Sequence, residues 1–381
     1  MQMTKRAEYK KIVSKISIPA NHKIKQKAYL QSGTLPVIDQ GQELVGGYTN
    51  DCQKQIVCDL PVIVFGDHTK NVKYINFPFC AGADGIKILK AKDDIFPKYL
   101  YYGTKFLTFC IEDKGYARHY QHIEKQELSV PPLPEQERIV AKIEELFSQL
   151  DAAVAELKSV KEKLAIYRQA VLKEAFENLP DCNQITLGDV IEEKPRNGFS
   201  PKGVNFVTKY RNLTLSATTG GFFREGFFKY VDIDINDDSY LWVKQYDILI
   251  QRANTIDYVG TAAIYEGPND QYVYPDLMMK CHTKDGINPF FIVYQLHQSK
   301  TQRYYRSKAT GTAGNMPKIN QTTVMNTPMV FVKKVKQDKI VESIELKFSL
   351  CNSIEQTVDT ALQRAAAFRQ SILKQAFEGN L

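Results

Sequence analysis

The chain has 381 residues, of which 43% are hydrophobic and 24% charged, and its formal net charge is +7. This length predicts two or three domains, and the composition excludes a disordered chain, a collagen-like chain and a small disulfide-stapled protein. The longest apolar runs, such as Phe290–Val293, are far shorter than the roughly 20 residues of a membrane span. The polar N-terminus predicts no signal peptide, and seven cysteines without a C-x-x-C pair favour reduced thiols, so we expect a cytoplasmic protein without membrane association.

The positive charge is concentrated in two blocks. Residues 1–130 hold 19 Lys and Arg against 13 Asp and Glu, and residues 180–335 hold 18 against 15, whereas residues 131–179 are acidic. A basic block indicates a polyanionic partner such as nucleic acid. The excess is modest, so charge alone does not establish that function.

The first predicted domain covers residues 1–130. Its strand signals are the apolar run Leu60–Phe65, the alternating segment Lys73–Phe79 and the segment Asp84–Leu89 after a glycine-bearing turn. An aromatic stretch, Pro97–Phe106, predicts a helix, and a glycine-bearing loop follows it. This mixture indicates an α+β domain.

Residues 131–179 predict one long helix, because glycine is absent and the prolines lie at its start and directly after its end. Its apolar residues recur in alternating steps of four and three, which is the heptad pattern of a coiled coil. At 1.5 Å per residue the helix would be roughly 65–70 Å long. We assign the seam of this helix to Leu146, Leu150, Leu157, Leu164 and Tyr167.

The same plan then recurs in a second α+β domain, residues 180–335, and a second spacer helix, residues 336–381. In the domain, Asp247–Gln251, Val259–Tyr265 and Asp276–Lys280 predict strands, and Pro289–Tyr305 predicts a helix. A shift of 201 residues superimposes the two heptad seams without a gap, and the second seam contains Ile344, Ile354, Val358, Phe368 and Ile372. We therefore predict that the two helices pack as an antiparallel coiled coil, with the halves of the chain related by a pseudo-twofold axis.

Several segments resemble the specificity subunit of type I restriction–modification systems. Pro131–Val140 is similar to the start of the central helix in that family, and Tyr167–Phe176 is similar to its end, with a second copy at Phe368–Phe377. Pro36–Gly41 and Phe77–Gly82 resemble parts of a target recognition domain. The second helix departs from the pattern, because Val332–Val335 replaces the proline-rich start.

The resemblance implies a non-catalytic subunit that reads double-stranded DNA. Residues 1–130 and 180–335 would each recognise one half of a split target. The helices would set the gap between the half-sites and dock two methyltransferase (modification) subunits, which restriction subunits then join. S-adenosylmethionine, ATP and Mg²⁺ would belong to those partner subunits, so no cofactor is expected in this chain.

Loops are the expected source of DNA contacts, because strands and helices form the frame. Arg and Lys can pair with guanine, and Asn can pair with adenine. Phe222, Phe223, Phe227 and Phe228 flank Arg224, and we interpret them either as strand core or as a wedge into DNA. The candidates in the first domain are His68, Lys70, Asn71, Lys73, Arg118, His119 and Tyr120, and those in the second are Arg224, Arg252, Asn254, Thr255, Thr312, Asn315 and Lys318.

Enzyme motifs are missing from the sequence. There is no phosphate-binding G-x-x-x-x-G-K-[ST] loop, no amino-methyltransferase motif and no convincing set of metal ligands around His119 and His122. Asp181, Glu192 and Lys194 match a loose Mg²⁺-dependent nuclease pattern, but the match is short and falls at a domain boundary. Two alternatives therefore stay open: a stand-alone DNA-binding or regulatory protein, and a nuclease.

Overall fold

The computed structural model describes residues 5–82, 85–112, 118–177, 179–180, 182–311 and 316–381. The chain divides into two compact units: Met1–Ser159 with Val358–Leu381, and Val160–Thr357. The chain passes from one unit to the other after Ser159 and after Thr357, both inside long helices, so each unit includes a part of each helix. Within the described ranges, no helix combines the length and apolarity that crossing a bilayer would require.

Among its described residues, the first unit places three short helices and three β-sheets around three apolar clusters. The largest sheet is antiparallel with strand order β2-β8-β5-β6, β1 pairs with β9, and β3 lies between β4 and β7. The elements are β1 (Lys5–Glu8), α1 (Tyr9–Ile12), β2 (Val13–Ile16), β3 (Leu35–Ile38), β4 (Gly47–Thr49), β5 (Val62–Gly66), β6 (Val72–Ile75), β7 (Cys80–Ala81), β8 (Ile86–Ala91), α2 (Pro97–Cys110), α3 (Tyr120–Ile123) and β9 (Glu127–Val130).

The second unit repeats the main sheet and the outer strand pair. Its largest sheet is antiparallel with strand order β11-β16-β14-β15, β10 pairs with β17, and β12 pairs with β13. The elements are β10 (Asn183–Thr186), α5 (Leu187–Val190), β11 (Arg196–Asn197), β12 (Tyr210–Leu213), β13 (Phe228–Val231), β14 (Ile248–Gln251), β15 (Ala262–Ile264), β16 (Met278–Cys281), α6 (Pro289–Leu296), α7 (Ser299–Lys308), α8 (Gln321–Met325) and β17 (Pro328–Phe331).

The two long helices are α4 (Leu133–Phe176) and α9 (Lys334–Glu378). In the first unit, Arg138 donates to the backbone carbonyl of Leu381 at 2.8 Å, and Arg369 bonds Asp151. Residues later in α4 therefore contact residues earlier in α9, which is the order of an antiparallel pair. The same holds in the second unit, where Arg168 bonds Glu355. The predicted antiparallel coiled coil and α+β class are confirmed, whereas the pseudo-twofold axis stays a prediction.

The 201-residue repeat extends from sequence to side-chain contacts. In the first unit, Tyr102 packs edge-on against Phe147 with ring centroids 5.8 Å apart. In the second unit, Tyr294 packs edge-on against Phe348 at 5.7 Å. Phe147 and Phe348 are 201 residues apart, so the two units use one scheme to fasten a domain to its helices.

One predicted helix is divided. The stretch Pro289–Tyr305 forms α6 and α7, because Gln298 adopts an extended conformation between them. The Gln298 backbone N–H still bonds the carbonyl of Gln295 at 3.2 Å, so the break is a turn inside the helical stretch.

Candidate DNA interface

In the first unit, three predicted contact residues lie on the turn between β5 and β6. His68, Lys70 and Asn71 occupy this turn, in which Lys70 has a left-handed backbone with φ of 59°. The Asn71 side-chain amide donates to the backbone carbonyl of Gln40 at 2.9 Å, and Thr69 donates to the same carbonyl at 2.6 Å. The amide of Asn71 therefore holds two loops together in this structure.

Asp67 brings a further loop to the same place. Its buried carboxylate accepts the backbone N–H of Tyr120 at 2.8 Å, and its backbone carbonyl accepts the N–H of His119 at 2.9 Å. Arg118, which directly precedes His119, is exposed. The structure thus gathers Arg118 and the β5–β6 turn at one end of the main sheet.

Three candidates of the first unit are buried, and their assignment as DNA contacts is corrected. Lys73 is only 5% exposed because it points inward from β6, with its Nζ 3.5 Å from Asp39 Oδ1. Burial lowers the pKa of Lys73, and the Asp39 carboxylate opposes this shift. His119 and Tyr120 are also buried; the ring of Tyr120 lies 5.8 Å from that of Phe65, and burial raises the pKa of Tyr120 well above its ordinary value.

In the second unit, Gln251 organises the corresponding end of the sheet. This buried side chain lies at the end of β14 and donates to the carbonyl of Leu215 at 2.9 Å and to the hydroxyl of Thr218 at 2.9 Å. Its own carbonyl accepts the side-chain amide of Asn254 at 2.6 Å. Residue spacing did not predict this role of Gln251, and the available signal was a glutamine that ends an otherwise apolar strand.

The loop after Gln251 joins a second loop near Lys318. The backbone carbonyl of Arg252 accepts the N–H of Ile319 at 2.8 Å, and the N–H of Asn254 donates to Pro317 at 3.3 Å. Thr255 and Lys318 are exposed, and the Arg252 guanidinium, which is half-buried, donates to the carbonyl of Asp276 at 3.2 Å.

Four predicted residues of the second unit are therefore brought together: Arg252, Asn254, Thr255 and Lys318. Arg224 is exposed on the neighbouring loop, where it donates to the carbonyl of Ser216 at 2.9 Å. Thr312 and Asn315 lie outside the described residues.

The seam positions divide into three groups by burial. The buried positions are Leu164, Ile344 and Val358, and the half-buried positions are Leu146, Leu150, Leu157 and Ile372. The exposed positions are Tyr167, Ile354 and Phe368, so the prediction that these three pack in the seam is corrected. In α9 the fully buried positions Ile344, Cys351, Val358 and Ala365 recur every seven residues. In α9 one of the two seam positions of each heptad is thus buried, whereas Leu146 and Leu150 of α4 are both half-buried.

The residues of the loose nuclease pattern are not arranged as a metal site in the part of the chain that the structure describes. Glu192 and Lys194 line a cleft of about 350 Å³ that also contains Asp247, Lys280 and His282, and Asp181 lies outside the described residues. The Asp247 carboxylate is occupied by Lys280 at 2.8 Å and by His282 at 3.1 Å. Among the described residues, no group of three His, Cys, Asp or Glu side chains is arranged to hold a metal ion.

Two loop-bearing α+β domains on antiparallel helices define the class of architecture. Residues 10–162 match the family model of the type I restriction modification DNA specificity domain. This match assigns a DNA specificity domain of the type I restriction–modification kind to residues 10–162.

The chain is also similar to curated specificity subunits over about two thirds of its length. The chain is 24% identical over 269 residues to the type I restriction enzyme EcoKI specificity subunit of Escherichia coli K12, and 26% identical over 267 residues to the StySPI specificity subunit of Salmonella potsdam. Each alignment covers 67% of this chain and 57% of the relative, so the chain matches less than two thirds of their length.

A solved chain from a study of assembly and conformational transition in the type I system is similar in fold. It has a TM-score of 0.72 and 15% identity, and the match covers 100% of this chain and 99% of that one. The HsdS subunit of Thermoanaerobacter tengcongensis gives a TM-score of 0.51 at 15% identity, with coverage of 99% and 97%. At this identity the likeness concerns the fold.

Proposed function

We propose that this chain is the DNA-reading subunit of a type I restriction–modification complex. The recognition domain of each unit reads one half of a split target. The observation that carries the proposal is a repeated framework beneath different loops: Phe147 and Phe348 anchor equivalent contacts, whereas the loop residues at the ends of β5 and β14 differ. One framework with two loop sets suits a bipartite sequence.

Electrostatics supports this reading at both sheet ends. Arg118 is exposed beside the β5–β6 turn, and Lys318 is exposed beside Arg252. Phosphate contacts from such side chains give affinity and position the protein, and contacts to base edges give specificity. The same geometry serves a stand-alone DNA-binding protein, and the match of residues 10–162 to the type I DNA specificity domain favours the complex.

The long helices supply the docking surface for two modification subunits. Leu350 is 61% exposed and Phe368 is 63% exposed, and Tyr167 and Ile354 are exposed at seam positions that the helix pair leaves open. Exposed apolar residues at heptad spacing suit further helices packing alongside. Co-purification of the chain with a modification subunit tests this step, and a chain that never associates would contradict it.

The chemistry then belongs to the partners. We infer that the modification subunits bind S-adenosylmethionine and methylate adenine, that restriction subunits use ATP and Mg²⁺, and that this chain is non-catalytic and cytoplasmic. Methyl transfer or DNA cleavage by the pure chain would contradict the proposal that the catalytic groups lie in the partner subunits.

Two arginine variants test half-site reading. In cells that express the complete complex, the wild-type chain should direct methylation to a split motif, which sequencing of methylated DNA identifies. Arg118→Ala should relax one half-site and Arg252→Ala the other, each by about 1–3 kcal/mol for a base contact.

Binding of the purified complex should also weaken steeply with salt. Asp237→Ala, an exposed change in the second unit beyond the opposite end of the β12–β13 hairpin, is the control and should leave the motif intact. Equal weakening of every sequence by both arginine variants would make these residues phosphate contacts. A motif that does not depend on this chain would overturn the proposed function.

A further inference from the structure

The loop between β12 and β13 displays two phenylalanines, and two others, one in the loop and one at the start of β13, are half-buried. Phe222 is 59% exposed and Phe227 is 40% exposed. Phe223 packs its ring 4.8 Å from that of Tyr265, and Phe228 packs 5.8 Å from Tyr272. The loop is therefore anchored to the core on one side and presents aromatic surface on the other.

Arg224 joins the two exposed rings into one element. Its guanidinium carbon lies 4.7 Å from the centroid of Phe227 and 5.9 Å from that of Phe222. Such stacking holds the cation over the ring faces. We call Phe222, Arg224 and Phe227 the aromatic–arginine cluster.

The backbone fixes the cluster in place. Gly221 and Gly226 have φ of 79° and 85°, which side-chain-bearing residues rarely adopt, and they make the two turns of the loop. The N–H of Arg224 donates to the carbonyl of Ala217 at 2.9 Å, and the N–H of Thr214 donates to Phe227 at 2.9 Å. The backbone that carries the rings is thus tied to the rest of the domain at Arg224 and at Phe227.

The cluster lies next to the candidate DNA contacts of the same unit. Gln251 bonds Thr218, at the start of this loop, and Asn254, on the loop that carries Arg252. The apolar rings therefore border a polar and basic surface suited to a polyanion.

We infer that the aromatic–arginine cluster is a wedge that unstacks one base step of the half-site read by the second unit. This inference rests on the proposed function. Phe222 and Phe227 would press against or between base pairs, while Arg224 neutralises nearby phosphates. Apolar side chains that enter a step kink the duplex, and flexible pyrimidine–purine steps deform at the lowest cost. The second unit would then read deformability as well as base edges.

The two half-sites should differ in this respect. Between Asp39 and Gly46, the hairpin of the first unit that joins β3 to β4 has no aromatic residue and no arginine, so its exposed Leu44 has no counterpart of the aromatic–arginine cluster around it. We therefore expect the half-site that Arg118→Ala relaxes to stay stacked.

The test uses the full chain with its modification subunits and duplexes of the methylated motif. Each step of either half-site in turn carries 2-aminopurine, whose fluorescence rises when it is unstacked. The methylated adenines and their neighbours are left unlabelled, because a methyltransferase flips its target base out of the stack. Wild type should raise the fluorescence at one step of the half-site that Arg252→Ala relaxes. The double variant Phe222→Ala/Phe227→Ala should abolish the rise and weaken binding by about 10-fold or more, since unstacking is coupled to a few kcal/mol of contact energy.

Phe206→Ala is the matched control, because Phe206 is also 59% exposed in the second unit, beyond the opposite end of the β12–β13 hairpin. It should behave as wild type. Fluorescence that stays flat at every step, with full binding by the double variant, would overturn the wedge and leave half-site reading intact. Loss of the modification subunits from the double variant would identify the rings as a protein contact. Wild type without sequence preference would overturn the proposed function as well.

Discussion

In each unit, one buried glutamine of a long helix hydrogen-bonds the domain; these residues, Gln136 and Gln337, are 201 positions apart. Gln136 accepts the N–H of Phe96 at 2.8 Å and donates to the carbonyl of Pro131 at 2.8 Å. Gln337 accepts the N–H of Asn288 and donates to Val332 at the same distances. Phe96 and Asn288 directly precede α2 and α6, so each glutamine satisfies a backbone group at a helix start.

Gln136→Leu should lower the free energy of unfolding by about 1–3 kcal/mol, because leucine leaves buried backbone groups without partners. Urea unfolding of the purified chain measures the change. Gln149→Leu alters an exposed glutamine of the same helix and should have little effect. Equal unfolding midpoints for the two variants would show that the buried hydrogen bonds contribute nothing.

At the level of single residues, the sequence predicted loop positions better than side-chain directions. Arg118 and Lys318 are exposed as expected, whereas Lys73 points into the core towards Asp39. An alternating strand pattern does not say which polar residue will find a buried partner. The roles of Gln40 and Gln251 depend on loops brought together by the fold, which spacing along the chain does not reveal.

Among the elements, the long helices were the most predictable, because heptads and proline boundaries are local signals. The heptad pattern did not predict that one of the two seam positions in each heptad of α9 would stay partly exposed. Tyr167 and Ile354 have seam spacing and are exposed. The heptad periodicity identifies the apolar face of a helix. It does not distinguish a face that packs within the chain from one that binds a partner.

Val358→Asp should destabilise the chain by about 2–4 kcal/mol, because an unpaired carboxylate would enter a seam position that is 5% exposed. Leu157→Asp, at a half-buried position, should cost less. Leu350→Asp, on the exposed face of α9, is the control and should retain stability while weakening association with modification subunits. Denaturation curves and co-purification report the two effects, and an unchanged midpoint for Val358→Asp would refute the seam assignment.

For the whole molecule, the internal repeat predicted two similar domains and a helix pair. The compact units combine the start of α4 with the end of α9, as the predicted antiparallel pairing requires. This grouping follows from antiparallel pairing, which joins residues more than 200 positions apart, such as Asp151 and Arg369. A heptad pattern carries no information about which distant segment lies opposite.

The last prediction concerns the helix pair as the spacer between half-sites. Four helix-forming residues inserted between Lys163 and Leu164 should lengthen α4 by about 6 Å and rotate its far end by roughly 40°. The seam slips by half a heptad, so some stability is lost. With about 3.4 Å per base pair, the preferred gap should grow by one or two base pairs.

A heptad inserted in both helices, after Lys163 and after Gln356, is the cleaner variant because it preserves the facing side chains of the pair. It adds about 10 Å, which corresponds to about three base pairs of gap with both half-site sequences unchanged. Sequencing of methylated DNA gives the new motif, and binding to duplexes that differ only in gap length gives the optimum. An unchanged gap with full activity would make the helices a docking surface alone, and altered half-site bases would mean that the helices take part in base readout.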